Sequence, residues 1–228
     1  MADAFGEMLR AGTGPEIIER DDGFLEAATI GYFAPVAHWP AVERRALRWA
    51  RGRVLDVGVG AGRAALELQR RGRSVVGIDV SPGAVEVARA RGVTDVRLLA
   101  FEEVDESLGR FDTVVMFGNN FGLFASPGKA KRLLRRLRPL ADRIVAGSND
   151  PYATEDPAHL EYQEQNRKRG RMPGQLRLRV RHRDLIGSWF DYLIVSPDEM
   201  ATILEGTEWR IRRLLQESGS GYYVAVLE

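Results

Sequence analysis

Apolar residues in this chain gather into short β-branched runs, separated by stretches in which they recur every three or four positions. The runs at 54–57, 74–79, 95–99, 111–117 and 143–147 are too short for helices and too continuous for half-exposed strands. That is the pattern of buried parallel strands. Between them, 62–71, 83–91, 102–107 and 129–138 carry helical spacing, and Ser81-Pro82 supplies an N-cap and a first-turn proline. Strands alternating with helices at this interval predict βαβ units around a parallel sheet.

The pattern changes on both sides of that block. Residues 1–52 are weakly periodic, punctuated by Gly6, Gly12, Gly14 and Pro15. They then become aromatic from Tyr32 and Phe33 to Trp39-Pro40, where Val42, Ala46, Leu47 and Ala50 give a helix an apolar face. They predict an N-terminal helical cap on a domain spanning 53–228. After the fifth strand the chain turns polar, with a helix over 158–169. Leu176, Leu178, Val180 and His182 then alternate strictly with Arg177, Arg179, Arg181 and Arg183. With 189–195 this predicts a hairpin, so 149–196 reads as an inserted helix–hairpin segment. A helix over 198–205 follows, and two strands, 209–215 and 222–227, joined by Ser218-Gly219-Ser220-Gly221 as antiparallel neighbours. The fold class is α/β: a doubly wound, mostly parallel seven-stranded sheet with an antiparallel C-terminal hairpin.

Composition narrows the chemistry. The 228 residues carry 33 basic and 32 acidic side chains, a net charge of +1 that favours no class of partner. Zero cysteines exclude disulfides, a thiol nucleophile and thiolate-bound metal, and three scattered histidines give no basis for a metal site. No basic, apolar leader opens the sequence and no run approaches the ~18 apolar residues of a membrane span. A soluble cytoplasmic protein is expected.

The chemistry concentrates at Asp56-Val57-Gly58-Val59-Gly60-Ala61-Gly62-Arg63, where the first strand of the block must turn directly into a helix. Residues without Cβ permit the tight turn and let a ligand approach the backbone. Asp79 ends the next strand, 21 residues after Gly58, where a carboxylate can accept from both hydroxyls of an adenosine ribose.

Asp56-x-Gly58-x-Gly60-x-Gly62, Asp79 and the terminal hairpin resemble the class I S-adenosylmethionine-dependent methyltransferases, over about 54–147 and 189–228. The resemblance implies S-adenosyl-L-methionine as cofactor. It implies that the turn, with Val59 and Arg63, lies under the methionine and ribose, that Asp79 holds the ribose, and that Val80 beside it also contacts the cofactor. The end of the third strand, Ala100-Phe101-Glu102, would lie beside the adenine, and Phe117-Gly118-Asn119 beside methionine and substrate. At the third strand the family often has an acid followed by a small residue. Here either Glu102 meets the adenine, or Phe101 packs on the ring and a backbone group reads its edge.

A nicotinamide dehydrogenase would need Gly-x-Gly-x-x-Gly, but Arg63 stands where its third glycine belongs. Asn149-Asp150-Pro151-Tyr152 resembles the motif of amino-methylating enzymes, yet follows the fifth strand rather than the fourth and lacks a proline; it is not that motif. Methyl transfer needs alignment within ~3–3.5 Å more than it needs acid–base groups. For a hydroxyl acceptor, Asn119, Tyr152 and His159 are candidate catalytic residues, with His38 as an alternative and Asn120 a further polar contact. The expected substrate is a small molecule, with no membrane partner. The alternatives are an RNA or protein methyltransferase, for which the arginines of 167–183 would meet phosphates, and a non-catalytic nucleotide-binding module. The same arginines would equally suit an acidic small molecule. Tyr32, Phe33 and Trp39 are either a lid over the cofactor or a fixed plug on the sheet.

Overall fold

The computed structural model describes residues 3–12, 16–28 and 31–228; Gly14 and Pro15 lie outside them. In chain order it contains α1 (Ala4–Ala11), β1 (Glu16–Arg20), β2 (Leu25–Ala28) and α2 (Ala41–Ala46), then β3 (Arg53–Val57), α3 (Arg63–Arg70), β4 (Ser74–Asp79), α4 (Pro82–Ala90) and β5 (Val96–Leu98). There follow β6 (Thr113–Met116), α5 (Pro127–Leu137), β7 (Ile144–Asn149), α6 (Pro157–Lys168), β8 (Gln175–His182), β9 (Leu185–Ile186) and β10 (Phe190–Leu193). The chain closes with α7 (Pro197–Leu204), β11 (Ile211–Gln216) and β12 (Tyr222–Leu227).

Seven strands form the main sheet in the order β11-β12-β7-β6-β3-β4-β5. Strands β3 to β7 run parallel, and β12 lies antiparallel to both β7 and β11. The order reverses between β3 and β6, so the loops after these two strands diverge and open the crevice in which doubly wound sheets bind ligands. Both faces are covered. Leu55, Val57, Val76, Ile78 and Val114 pack toward α5 and α7. Val54, Val75, Val115, Val145 and Val224 pack with α2, α3 and α4 residues such as Ala46, Leu68 and Val85. That two-sided burial is why these strands read as continuous apolar runs.

Four helices start in one way. Ser81, Asp156, Ser126 and Ser196 each accept a backbone N–H of the first turn, and proline follows at the next position. Proline sacrifices a donor that the first turn leaves unpaired in any case. The stretch expected as a helix over 102–107 is two 3₁₀ turns, Phe101–Glu103 and Glu106–Leu108. Each holds only three residues, with an acid at Glu103 and Asp105 bonding back to its own turn.

The expected helical cap is only partly helical. Residues Glu16–Arg20 and Leu25–Ala28 are strands, and β1 pairs antiparallel with β2 on one side and with β8 on the other. The predicted hairpin is present, since β10 pairs with β8, but it is the middle of a larger antiparallel sheet, β10-β8-β1-β2 with β9 on β8. A five-residue strand paired with a four-residue one is too short to carry a recognisable period, which is why the sequence concealed it. In this sheet Glu19 accepts from Arg179 at 2.6 and 2.8 Å and also from Arg181. These bonds hold the Glu19 carboxyl at about 2, and Asp191 stands opposite Arg177. Two of the four alternating arginines are therefore paired with the protein's own carboxylate. Among the described residues no helix is long and apolar enough to cross a membrane, and no cluster of acids and histidines could hold a metal.

Candidate functional site

The turn after β3 is held from two sides. Gly58 and Val59 donate backbone N–H groups to Ile78 O at 2.9 and 3.0 Å. Asn120 Nδ2 donates to Val57 O and Gly58 O at 2.8 and 3.1 Å. Gly58 and Gly60 take φ of +71° and +52°, a region costly to any residue with a Cβ. At Gly58 a Cβ would also stand 2.6 Å from Asn120 Nδ2. Gly62 forms the N-cap of α3, and Arg63 is that helix's first residue.

Asp79 lies where β4 ends, buried, with one carboxylate oxygen accepting Gly60 N–H and the other Ser81 N–H, both at 3.0 Å. Burial raises its pKa, and these N–H bonds work against the rise. Beside it, Val80 is 69% exposed and Leu98 57%. Asp79 and Leu98 are register partners, so the ends of β4 and β5 present an apolar shelf next to a buried acid. Asp56 is buried on β3, and its Oδ2 has no hydrogen-bond partner. Burial pushes its carboxyl up to about 7, with only Ala65 N–H and Arg63 opposing. An orphaned acid, a Cβ-free turn and an exposed apolar shelf converge on the switch point, and together they fit an adenosyl group carrying an amino acid.

The raised Asp56 has a consequence for stability. Below its unfolded pKa the group is protonated in both states and costs nothing; between that pKa of 3.8 and about 7 the unfolded chain is ionised while the buried group still holds its proton, so stability falls across this interval and levels off above it. The ligand-free protein is expected to lose melting temperature between about pH 4 and pH 7, and Asp56→Asn to lose less over the same interval. Differential scanning calorimetry at fixed ionic strength measures both slopes; parallel slopes would remove Asp56 as a cause.

At the end of β6, Phe117 is buried and Gly118 donates its N–H to Glu43 Oε1 at 2.9 Å. Glu43, on α2, also accepts from Tyr222 Oη at 2.6 Å and from Arg63 Nη2 at 2.7 Å, while the Arg63 guanidinium covers the Trp39 ring. Arg63 thus ties α2 to the glycine turn. Asn119 has φ +70°; its Oδ1 accepts Asn149 N–H at 2.8 Å, and its carbonyl accepts Tyr192 Oη at 2.7 Å. The two asparagines brace the loops on either side of the crevice.

Ala100 begins the short turn at the end of the third parallel strand, where its N–H donates to Glu103 Oε2 at 2.9 Å. Phe101 turns its ring inward against Phe124, with centroids 5.2 Å apart, so the reading in which that ring packs on an adenine is corrected. The ring is large and apolar, and the core below β5 takes it. Glu102 is exposed and ion-paired with Lys129 of α5; burial acts upward on its carboxyl, but the Lys129 ammonium wins and holds it low.

The candidate acid–base residues lie apart from the turn. Tyr152 Oη donates to Glu199 at 2.7 Å beside the 218–221 connection. Burial and that carboxylate push Tyr152 up to about 12, which suits it to structure better than to proton abstraction. His159 Nδ1 accepts from Arg20 Nη1 at 2.8 Å, and its ring meets Phe24 edge to face. A guanidinium only donates, so Nδ1 is occupied as an acceptor. His38 is exposed in a single 3₁₀ turn.

The antiparallel sheet supplies what the sequence did not reveal. The Tyr32 ring lies 3.6 Å from where a Gly60 Cβ would stand and packs edge to face on Phe5. Its hydroxyl donates to Glu16 Oε2 at 3.1 Å. Tyr192 reaches down from β10 to Asn119, its ring filling the space left by Gly122. Trp39, by contrast, is buried, its Nε1 donating to Ala34 O at 2.8 Å. Of the three aromatics expected as lid or plug, Tyr32 covers the turn, Trp39 is a plug, and Phe33 is exposed under Arg91. Sequence offered one usable signal for Glu43: it sits one turn before Ala46 and Leu47, on the helix's apolar side. It offered none for Glu16.

A methyltransferase-domain family matches residues 54–141. Magnesium-protoporphyrin O-methyltransferase of Rhodobacter capsulatus is 40% identical over 67 residues, 28% of this chain and 30% of that protein. The matched segment therefore spans about a third of the length of that curated relative. A S-adenosylmethionine-dependent methyltransferase of Bacteroides fragilis, solved with S-adenosyl-L-homocysteine, superposes with a TM-score of 0.80 at 26% identity, covering 99% of this chain and 92% of its own. The CcbJ methyltransferase of Streptomyces caelestis shares the fold, with a TM-score of 0.62 at 17% identity over 86% and 92% of the two chains. With the glycine turn, the acid at the end of β4 and the antiparallel finish in place, residues 54–141 are a methyltransferase domain, and the chain has the class I, Rossmann-like fold of the S-adenosylmethionine-dependent methyltransferases.

Proposed function

We propose that this protein methylates a small molecule held between the glycine turn and the antiparallel sheet. The observation that carries this reading is what covers the turn: Tyr32, in the segment after β2, lies on Gly60, and Tyr192 of β10 is bonded to Asn119, so this side of the crevice has a protein roof. Glu19 takes up Arg179 and Arg181 of the same sheet, which removes two of the four alternating arginines from any phosphate-binding stripe. The Rhodobacter relative is named for a small-molecule acceptor, a metalloporphyrin, which supports the class.

S-adenosylmethionine, when bound, supplies a methyl group already activated on a sulfonium. The chain's own work is to hold and align. Asp79 takes the ribose hydroxyls with the lone pairs that Gly60 and Ser81 leave free. Asp56 Oδ2 is free to receive a donor through the turn. The backbone of Gly58, Val59, Gly60 and Gly62 lies under the ligand, Val80 packs on the adenine, and Ala100 and Glu102 border its edge. Phe117, Gly118 and Asn119 close the methionine end, and Arg63 fixes the turn through Glu43. Residues 1–52 act as cap to the 53–228 domain, with 149–196 as its insertion.

Titration calorimetry with S-adenosylmethionine, S-adenosylhomocysteine and NAD tests the cofactor half. Both adenosyl compounds are expected to bind and NAD is not; NAD binding with neither adenosyl compound would overturn it. A radiolabelled methyl donor incubated with cell extract tests the acceptor. Label in the small-molecule fraction is the expected result, and label in RNA or protein would reject the small-molecule assignment.

A further inference from the structure

Glu16 opens β1 and points into the roof, where it is 4% exposed. Among the described residues its one hydrogen-bond partner is Tyr32 Oη, at 3.1 Å. A carboxylate with two oxygens and one neutral donor is poorly satisfied, and burying it is costly unless a positive charge arrives. Among the described residues no cation is paired with it. The ionisable groups around it are Tyr32, Tyr192 of β10 and, through Tyr32, Asp79 of β4. Extending the β1–β8 register by one step places His182 opposite. The salt bridges of the neighbouring strand positions go elsewhere: Glu19 to Arg179 and Arg181, Arg20 to Asp22. Tyr32, which holds Glu16, is the same ring that lies on Gly60.

We propose that Glu16 is the counter-charge of the methyl donor's sulfonium, and that it takes the proton the acceptor loses when that charge disappears. This rests on the methyl-donor reading above. In the transfer the carbon–sulfur bond breaks with its electron pair going to sulfur, the acceptor atom forms the new bond to carbon, and the acceptor's proton moves to the Glu16 carboxylate. The buried centre stays neutral throughout: carboxylate with sulfonium before, carboxylic acid with thioether after. Burial already places the Glu16 carboxyl at about 7, between these two states at physiological pH.

The test uses the two cofactor forms and needs no acceptor. S-adenosylmethionine and S-adenosylhomocysteine share the ammonium, carboxylate, ribose and adenine and differ by the methyl and its positive charge. Protons exchanged with Asp56 or Asp79 on binding are therefore common to both, and the difference belongs to the group facing sulfur. Titration calorimetry at pH 7 in phosphate and in Tris gives the protons released. S-adenosylmethionine is expected to release about half a proton more than S-adenosylhomocysteine, as a half-protonated carboxyl ionises beside a cation. In Glu16→Gln the difference should vanish, and the preference for the sulfonium form should fall about tenfold, the equivalent of one pKa unit. S-adenosylhomocysteine affinity should stay within about threefold, which also reports that the variant folds. Tyr32→Phe removes the one bond that favours the ionised form. It should move the midpoint of the difference to higher pH, and it serves if Glu16→Gln does not fold. Equal release for the two ligands, a difference that survives Glu16→Gln, or a midpoint unmoved by Tyr32→Phe would overturn the proposal. If the wild-type protein binds neither compound, it is the methyl-donor reading that fails.

Discussion

Replacing Asp79 with alanine is expected to weaken S-adenosylmethionine and S-adenosylhomocysteine alike, by about 2–3 kcal/mol or roughly 30- to 150-fold, the cost of losing charged hydrogen bonds in a buried site. The carboxylate has two jobs. It offers lone pairs to the ribose, and it draws Gly60 N–H and Ser81 N–H together at 3.0 Å each, which binds the glycine turn to the start of α4. Because both ligands carry the same ribose, their ratio should not change, in contrast to the variant at Glu16. Asp79→Asn separates the two jobs. The amide keeps the shape and one acceptor, but its NH₂ must face either Gly60 N–H or Ser81 N–H, so it should recover less than half of the lost free energy. Calorimetric affinities within twofold of wild type for Asp79→Ala would mean that another group holds the ribose.

Glu43→Ala should be the most destabilising single change in the region. The carboxylate is 1% exposed and accepts from three donors: Gly118 N–H, Tyr222 Oη and Arg63 Nη2. Truncation strands a largely buried guanidinium and a backbone N–H at once, and breaking a buried ion pair from one side costs about 3–5 kcal/mol. For a chain of this size that corresponds to a fall of roughly 10 °C in melting temperature. Glu43→Gln preserves volume but exchanges an acceptor for a donor aimed at Arg63 or at Gly118 and Tyr222, so it should recover little. Urea unfolding monitored by the tryptophans measures both variants. A loss below about 1 kcal/mol for the alanine variant, an ordinary surface value, would show that α2 is not held through this carboxylate. Since Arg63 and Gly118 border the crevice, cofactor affinity should fall with stability.

The two variants mark the boundary of what the chain discloses along its length. Asp79 was legible because its meaning is local: an acid that ends a strand, at a set distance from a glycine turn. The parallel strands were legible for the same kind of reason, since burial on both faces writes a continuous apolar run. Ser81-Pro82 announced a helix because a hydroxyl and a ring-locked φ act on the next three residues only. Phe101 was not settled, because whether a strand-end aromatic turns to the ligand or the core depends on what Phe124 leaves open beneath it. Arg63 stood in the motif, but its partner Glu43 comes from the preceding helix and its ring partner Trp39 from further back. Asn119 and Asn120 were visible as polar groups at a strand end; that they brace the loops through Asn149 N–H and the Val57 and Gly58 carbonyls required those loops to meet.

From the amino-acid order alone came the seven-stranded sheet, its antiparallel finish, the glycine turn and the acid that answers it, because each is encoded within about ten residues by periodicity and turn chemistry. The folded chain alone decided the roof. Residues 16–20 pair with 25–28 nearby and join a larger sheet because 175–182, some 160 positions later, offers an open edge. Pairing over that distance is chosen by the whole molecule's packing and leaves no mark in either segment. Within that sheet Glu16 is buried beside Tyr32.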